Sequence, residues 1–197
     1  EEAVGLRRAL GDPLLIVDST YHTGVTAFGA GDLDRAEREF EASLSLAREL
    51  GDSLYAGGAL CMLGTVALLK DDLPLALDRV HASLAIYAEL GDRRSTAECL
   101  CALGGYAAAV DQPEQAARLW GAADLLRGDS PLEYAEPMIE SRFGPALIDA
   151  LGDEHFAELR AEGERIGLEG VLAESSVLAA TRSGQSAATI ATTRDGK

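Results

Sequence analysis

The chain has 197 residues, of which 47% are apolar and 25% are charged, a composition typical of soluble globular proteins. Its 33 acidic and 17 basic side chains give a formal net charge of −16, which would repel the phosphate backbone of a nucleic acid. We therefore expect no direct nucleic-acid binding. The sequence also lacks the apolar run of roughly 20 residues that a membrane-spanning helix needs, so we predict no membrane span.

The cysteines and the start of the chain bear on its compartment and context. Three cysteines, an odd number, do not make a disulfide framework in a chain of this size, and no basic start followed by an apolar core indicates a signal peptide. We therefore predict a cytoplasmic protein. Because the sequence starts at Glu1 without methionine, inside a predicted helix, we expect it to be part of a longer protein with further modules upstream.

The first predicted elements are the last turns of a truncated helix, residues 1–10, and then a complete helical hairpin. Pro13 separates them, since a helix does not continue through proline. The hairpin pairs residues 14–29 with residues 33–50. Asp32, in the connecting turn, is well placed to cap the amide groups of the second helix.

The next two hairpins are predicted to repeat this arrangement. Their helices pair residues 54–69 with 73–90, and residues 95–110 with 113–127. Pro74 and Pro113 both fall in the first turn of a second helix, where the missing amide hydrogen costs little. Two prolines at equivalent positions support these helix boundaries.

Beyond a loop at residues 128–131 the pattern is less regular. We predict a fourth hairpin of residues 134–151, kinked at Pro145, with residues 154–166, followed by a short capping helix over 168–180. The small, polar tail is expected to be disordered. The predicted parts are therefore helical repeats (1–130), a degenerate fourth repeat with its cap (131–180) and the tail (181–197).

Several residue types recur every 40 positions along the chain. The sets are Gly24, Gly64, Gly104 and Gly144; Ala36, Ala76 and Ala116; Phe40, Val80 and Trp120; Ser43, Ser83 and Ala123; and the tripeptide Leu-Gly-Asp that begins at Leu10, Leu50 and Leu90. A fixed period of roughly 20 to 50 residues indicates stacked supersecondary units. We expect Trp120 to be a core residue of this stack.

The spacing within the repeated unit resembles the tetratricopeptide repeat: a glycine, an alanine 12 residues later, a large apolar residue four further on and a small residue three beyond that. The resemblance implies an all-α fold, a right-handed superhelix (solenoid) of helical hairpins with a C-terminal helical cap. The family's usual repeat has about 34 residues, so both helices are longer in this chain.

Residues 116–127 and 150–174 are similar to the C-terminal region of large bacterial ATPase-containing regulators of the LuxR type and the antibiotic-regulator type. This resemblance implies a non-catalytic sensory and protein-interaction array in a transcriptional or signal-transduction regulator. Its partner would be a protein or peptide, including the upstream ATPase or DNA-binding part of the same polypeptide. A stand-alone scaffold and a regulatory arm of an enzyme such as a nucleotide cyclase share the fold and stay open as alternatives, as does a homo-oligomer.

Motifs for catalysis, metals and cofactors are not found in the sequence. It has no phosphate-binding Gly-x-x-x-x-Gly-Lys-Ser/Thr loop, and its three histidines lack the spacing of a zinc helix. Cys99 and Cys101 point to different faces of a helix, whereas Cys61 and Cys101 occupy the same repeat position and either face each other or simply pack as small apolar residues. We therefore predict no enzyme, no metal and no cofactor.

The inner surface of a tetratricopeptide superhelix is the remaining candidate site. By resemblance, the concave groove is lined by Tyr21, Val25, Phe28, Cys61, Thr65, Leu68, Cys101, Gly105 and Ala108. This groove is apolar and lacks the lysines and asparagine with which family members bind a terminal carboxylate. It would suit an amphipathic helix, of this chain or of a partner, or a hydrophobic small molecule. The alternative is that these residues pack against the next layer of helices.

Overall fold

The computed structural model describes residues 13–131 and 135–174. These residues form eight α-helices and no β-strand, which confirms the predicted all-α fold. The helices are α1 (Pro13–Gly29), α2 (Leu33–Leu50), α3 (Ser53–Leu69), α4 (Leu73–Leu90), α5 (Arg93–Ala109), α6 (Pro113–Arg127), α7 (Glu136–Leu151) and α8 (Asp153–Glu174). The predictions for residues 1–10, for the tail and for the last residues of the capping helix lie outside the described residues.

Aspartates begin four of these helices. Asp32, Asp52, Asp72 and Asp92 each accept a hydrogen bond from the amide three residues later, at 3.0 to 3.3 Å. Such a bond satisfies an amide of the first turn that no helical carbonyl reaches, so the predicted cap at Asp32 is confirmed. Two of the Leu-Gly-Asp tripeptides contain both the end of one helix and the start of the next. Gly51 and Gly91 end α2 and α4 with φ of 68° and 67°, and the aspartate that follows each glycine caps the next helix.

The recurring glycines lie where the two helices of a hairpin cross. A Cβ atom on Gly24 would lie 2.7 Å from Phe40 Cε1, one on Gly64 would lie 2.5 Å from Val80 Cγ2, and one on Gly104 would overlap Trp120 Cδ1. Real Cβ atoms do not approach other atoms so closely, so the large apolar residue of each repeat packs directly on the glycine of its own hairpin.

The recurring serines make equivalent hydrogen bonds in two hairpins. Ser43 donates to the carbonyl of Val17 at 3.5 Å, and Ser83 donates to the carbonyl of Gly57 at 2.8 Å, in both cases across 26 residues of sequence. Both hydroxyls are buried, and the bonds satisfy them inside the hairpin. The 40-residue repeat is therefore a repeat of contacts as well as of residue types.

The first three hairpins stack side by side. Within each one the two helices pack together, the second helix of one hairpin contacts the first helix of the next, and the first helices α1, α3 and α5 also contact their neighbours directly. The middle helix of this row, α3, buries 13 of its 17 residues. It therefore has no solvent-facing stripe and forms the centre of the core.

The last hairpin packs differently. Its second helix, α8, contacts α6 far more extensively than it contacts α7. Gly121 on α6 lies against the carbonyl of Arg160, and Gly163 on α8 lies against the carbonyl of Arg118, with no room for a Cβ atom at either glycine. In contrast, the nearest atom to a Cβ on Gly144, the in-phase glycine of α7, would be 4.0 Å away on Trp120. The close glycine crossing of this region therefore joins α6 and α8.

Gly167 divides α8 into two segments. Its φ of 64° and ψ of −169° are not helical and are accessible mainly to glycine, so the predicted break at this residue is confirmed. The second segment returns to the start of α6, where Gln115 donates to the carbonyl of Val171 at 3.5 Å.

Candidate functional site

The structure buries most of the predicted groove residues. Phe28, Cys61, Thr65, Leu68, Cys101 and Gly105 are buried, and Tyr21, Val25 and Ala108 are half-buried. They do not all face one surface. Tyr21 packs among α1, α2 and α3, with its ring 5.5 Å from Phe40 and 5.8 Å from Tyr55 between centroids. Leu68 and Gly105, by contrast, lie together at one face of α3 and α5.

Helix α7 lies on that face. A Cβ atom on Gly105 would be 2.7 Å from Ile139 Cγ2, 3.0 Å from Leu68 Cδ2 and 3.3 Å from Phe143 Cδ2. Phe143 also packs against a buried cluster that comprises Ala67, Leu68 and Ala76. We call the surface formed by Leu68 and Gly105 the inner groove. In this structure α7 occupies it.

The apolar residues of α7 that face the rest of the protein form a single line. Ile139 is fully buried, Leu147 is 3% exposed and Phe143 is half-buried, and these three residues are four positions apart. Side chains at this spacing lie on one face of a helix. The opposite face is exposed at Ser141 and Pro145. Helix α7 is therefore an amphipathic helix seated on the inner groove.

Charged side chains fasten both the start and the middle of α7. Glu136 is only 1% exposed, and its carboxylate accepts hydrogen bonds from Arg94 of α5 at 3.3 Å and from Arg127 of α6 at 3.0 Å. One turn and a half later, Arg142 donates to the carbonyl of Leu69 at 3.0 Å and to Asp71 at 2.6 Å. A buried carboxylate is tolerated when such partners neutralise it, so Glu136 fixes the entry of α7.

The same network extends to α8. Arg160 donates to Asp124 of α6 at 3.0 Å and to Glu140 of α7 at 3.4 Å, and its guanidinium lies 5.9 Å from the Trp120 ring. Burial acts against the charge of Arg127, but its hydrogen bond to Glu136 and the nearby charge of Asp124 hold its pKa above the ordinary value. Arg127 therefore stays charged at any physiological pH.

The three cysteines are buried. Hydrogen bonding with Cys99 and then burial raise the pKa of the Cys61 thiol well above its ordinary value, and burial does the same for the pKa of Cys101. Ser83 Oγ lies 3.3 Å from Cys99 Sγ. Because the thiolate is the reactive form, Cys61 and Cys101 are poorly suited to nucleophilic catalysis.

The histidines do not converge on a site. His22 Nε2 lies 3.3 Å from Asp18 Oδ1 within α1, and His155 Nδ1 lies 3.4 Å from Glu158 Oε2 within α8. The Nε2 atom of His81 is buried without a hydrogen-bond partner. No group of three or more metal-ligating side chains is found in the described part of the chain. None of its described helices is long and apolar enough to cross a membrane.

A cavity of about 440 Å³ opens beside the inner groove, between the α1–α2 turn, the end of α3 and the exposed side of α7. Its lining is mostly apolar and consists of Gly31, Leu33, Leu69, Pro137, Met138, Ser141 and Arg142. None of the nine predicted groove residues lines it. The cavity marks the part of this face that α7 leaves uncovered.

The residues that hold α7 were missed from the sequence, although one pattern pointed to them. Arg94 occupies the repeat position of Leu14 and Leu54, which are 54% and 53% exposed leucines. A charged residue at a position that is leucine in the two preceding repeats indicates a new contact, and Arg94 makes it with Glu136.

Comparisons with protein-family models, with curated proteins and with solved structures gave no match to this chain.

Proposed function

We propose that this chain is a non-catalytic protein-interaction and sensory array of the tetratricopeptide type, in a cytoplasmic bacterial regulator of transcription or signalling. One observation carries the proposal. Three successive hairpins reproduce the same contact, a glycine of the first helix under a large apolar residue of the second, every 40 residues. Stacked hairpins of this kind form solenoids whose extended surfaces bind other proteins.

The arrangement of the helices supports a superhelix in particular. The first helices α1, α3 and α5 contact their neighbours in a row, and α7 lies on the face that α3 and α5 form at Leu68 and Gly105. In a tetratricopeptide superhelix the first helices line the concave side. We therefore propose that the inner groove belongs to the concave surface of a right-handed superhelix.

The chemistry of the side chains supports binding rather than catalysis. The raised pKa values of Cys61 and Cys101 keep these two thiols protonated, and the buried carboxylate Glu136 is paired with two arginines. The net charge of −16 disfavours nucleic acid as the direct ligand and favours a protein or peptide partner with basic residues. We propose no cofactor.

The proposed regulator is tested by its upstream sequence and by a binding measurement. A phosphate-loop ATPase encoded ahead of Glu1, with a DNA-binding or cyclase module, is expected. The upstream region, produced separately, should bind this chain with micromolar or tighter affinity in isothermal titration calorimetry. The Arg38→Ala variant, at an exposed position of α2, serves as the matched control and should bind equally well. No binding and no ATPase upstream would contradict the proposal.

A further inference from the structure

We propose that the inner groove is a helix-binding site, that α7 is its resting occupant, and that the partner of the array is an amphipathic helix which displaces α7. The inference rests on the proposed function for the existence of a partner. It adds the place where the partner binds and the pattern of side chains that the partner carries.

The groove is shaped to receive a helix. Gly105 has no side chain, and the space above it is filled by Ile139 and Phe143 of α7. Any side chain at position 105 would have to displace those two residues. A helix can therefore pack directly on the backbone of α5 at Gly105. The neighbouring Leu68 provides an apolar side chain for it to contact.

Helix α7 occupies this groove with an interface that is separable from the core. It packs on α5, α6 and α8 less extensively than the paired helices of the first three hairpins pack on each other. Pro145 lies inside α7 and removes one of its internal hydrogen bonds. Gly152, with φ of 78°, ends the helix. A helix with few contacts and a weakened interior is the element most easily released.

The fastenings of α7 are of two kinds. Glu136 is buried at its first turn and keeps that end attached through Arg94 and Arg127. Arg142 and Asp71 form an ion pair whose side chains are 39% and 72% exposed, so water replaces this pair at little cost when α7 leaves. Arg160 of α8 adds a partly buried contact to Glu140 of α7 at 3.4 Å. The structure thus has a firm hinge at the start of α7 and, at its middle, a weak latch beside this contact.

The contacts of α7 define the helix that would replace it. That helix carries apolar side chains at three positions four residues apart, as Ile139, Phe143 and Leu147 do. It also carries an arginine three residues after the first of them, where Arg142 meets the carbonyl of Leu69 and the carboxylate of Asp71. A basic residue there also complements the acidic chain as a whole.

The test uses the full chain and a fluorescent peptide of residues 136–151 as the competing helix. Fluorescence anisotropy should show weak binding to the wild-type chain, because α7 occupies the groove. Arg142→Ala releases the latch and should bind the peptide about threefold more tightly, since an exposed ion pair contributes little and the apparent affinity follows the fraction of open groove. Arg38→Ala, which removes an exposed arginine of α2, should leave the peptide affinity unchanged.

A second variant separates binding in the groove from binding elsewhere. Gly105→Leu fills the groove, so adding it to Arg142→Ala should abolish the gain in peptide affinity. Hydrogen exchange of the wild-type chain supplies a readout without any variant: the amides of α7 should exchange at least about tenfold faster than those of α3. Equal exchange in α7 and α3, or equal peptide affinity for wild type and Arg142→Ala, would overturn the inference.

The outcomes also separate this inference from the proposed function. If the peptide binds as expected and the upstream region does not, the groove is a helix site and its partner lies elsewhere. If the upstream region binds equally well to the wild type and to Gly105→Leu, the array has a partner and the inner groove is not where that partner binds.

Discussion

The hairpins of residues 13–127 and the last hairpin, α7 with α8, are built from the same kinds of residues but are held differently. In the first region each glycine crossing joins consecutive helices, as at Gly64 and Val80. In the last region the glycine crossing joins α6 to α8, and charged side chains hold α7. The difference shows that α7 does not make the glycine crossing of the first three hairpins. Helix α7 instead covers the inner groove, which stacking of those hairpins alone would leave exposed.

The largest expected effect comes from Trp120, which belongs to both regions. It packs on Gly104, donates to the carbonyl of Cys101 at 3.0 Å and lies edge-on to Phe156 of α8, with 2% of its surface exposed. Trp120→Ala should reduce the free energy of unfolding by about 3 to 5 kcal/mol in chemical denaturation. Wild-type stability in this variant would contradict the repeat register.

The next largest effect is expected at Glu136, which holds only the last region. Glu136→Ala leaves Arg94 and Arg127 without their shared buried carboxylate, and breaking a buried pair in this way costs about 3 kcal/mol. Chemical denaturation gives this value. Glu39→Ala, at a partly exposed pair with Arg35 on α2 whose charged atoms are 4.0 Å apart, is the control and should cost about 0.5 kcal/mol or less.

Two glycines that are 80 residues apart and in the same phase sharpen the comparison most directly. Gly64→Ala should destabilise the protein by about 1 to 3 kcal/mol, because its Cβ would meet Val80 Cγ2 at 2.5 Å. Gly144→Ala meets only Trp120, at 4.0 Å, and should be neutral or stabilising by up to about 1 kcal/mol through helix propensity. Equal losses in thermal denaturation would mean that all four hairpins share one crossing.

The smallest effect is expected at His81, in the regular region. Burial lowers the pKa of His81 in the folded protein, against the weaker opposing effect of the Asp78 charge. At pH values near and below the ordinary histidine pKa of 6.5, the unfolded chain therefore binds more protons at this residue than the folded protein does. Stability conferred by neutral His81 is therefore present above about pH 6.5 and falls as the solution is acidified. His81→Gln should lose less stability than the wild type between about pH 7.5 and pH 5.5. Identical pH profiles for the two proteins would contradict this expectation.

Much of the fold was predictable because its signals are local. Asp32 marks a helix start by a hydrogen bond within one turn, and Pro113 marks one because it lacks the amide hydrogen that a first turn does not need. Most predicted helix boundaries therefore agree with the structure within two residues. The candidate site was less predictable. The nine groove residues came from a family pattern, and burial of Cys61 or Thr65 depends on how helices stack. The fastening of Glu136 depends on arginines 42 and nine residues away, which no local pattern joins.

The occupied groove is the central claim, and a reversible lock tests it most directly. The Gly105→Cys, Ile139→Cys double variant places two thiols at a close contact between α5 and α7, where a disulfide would hold α7 in place. The native cysteines are buried and serve as the background in the wild-type control. Peptide affinity of the oxidised variant should be at least about tenfold weaker than that of the reduced variant. Equal affinity in both states would show that α7 does not occupy the binding site.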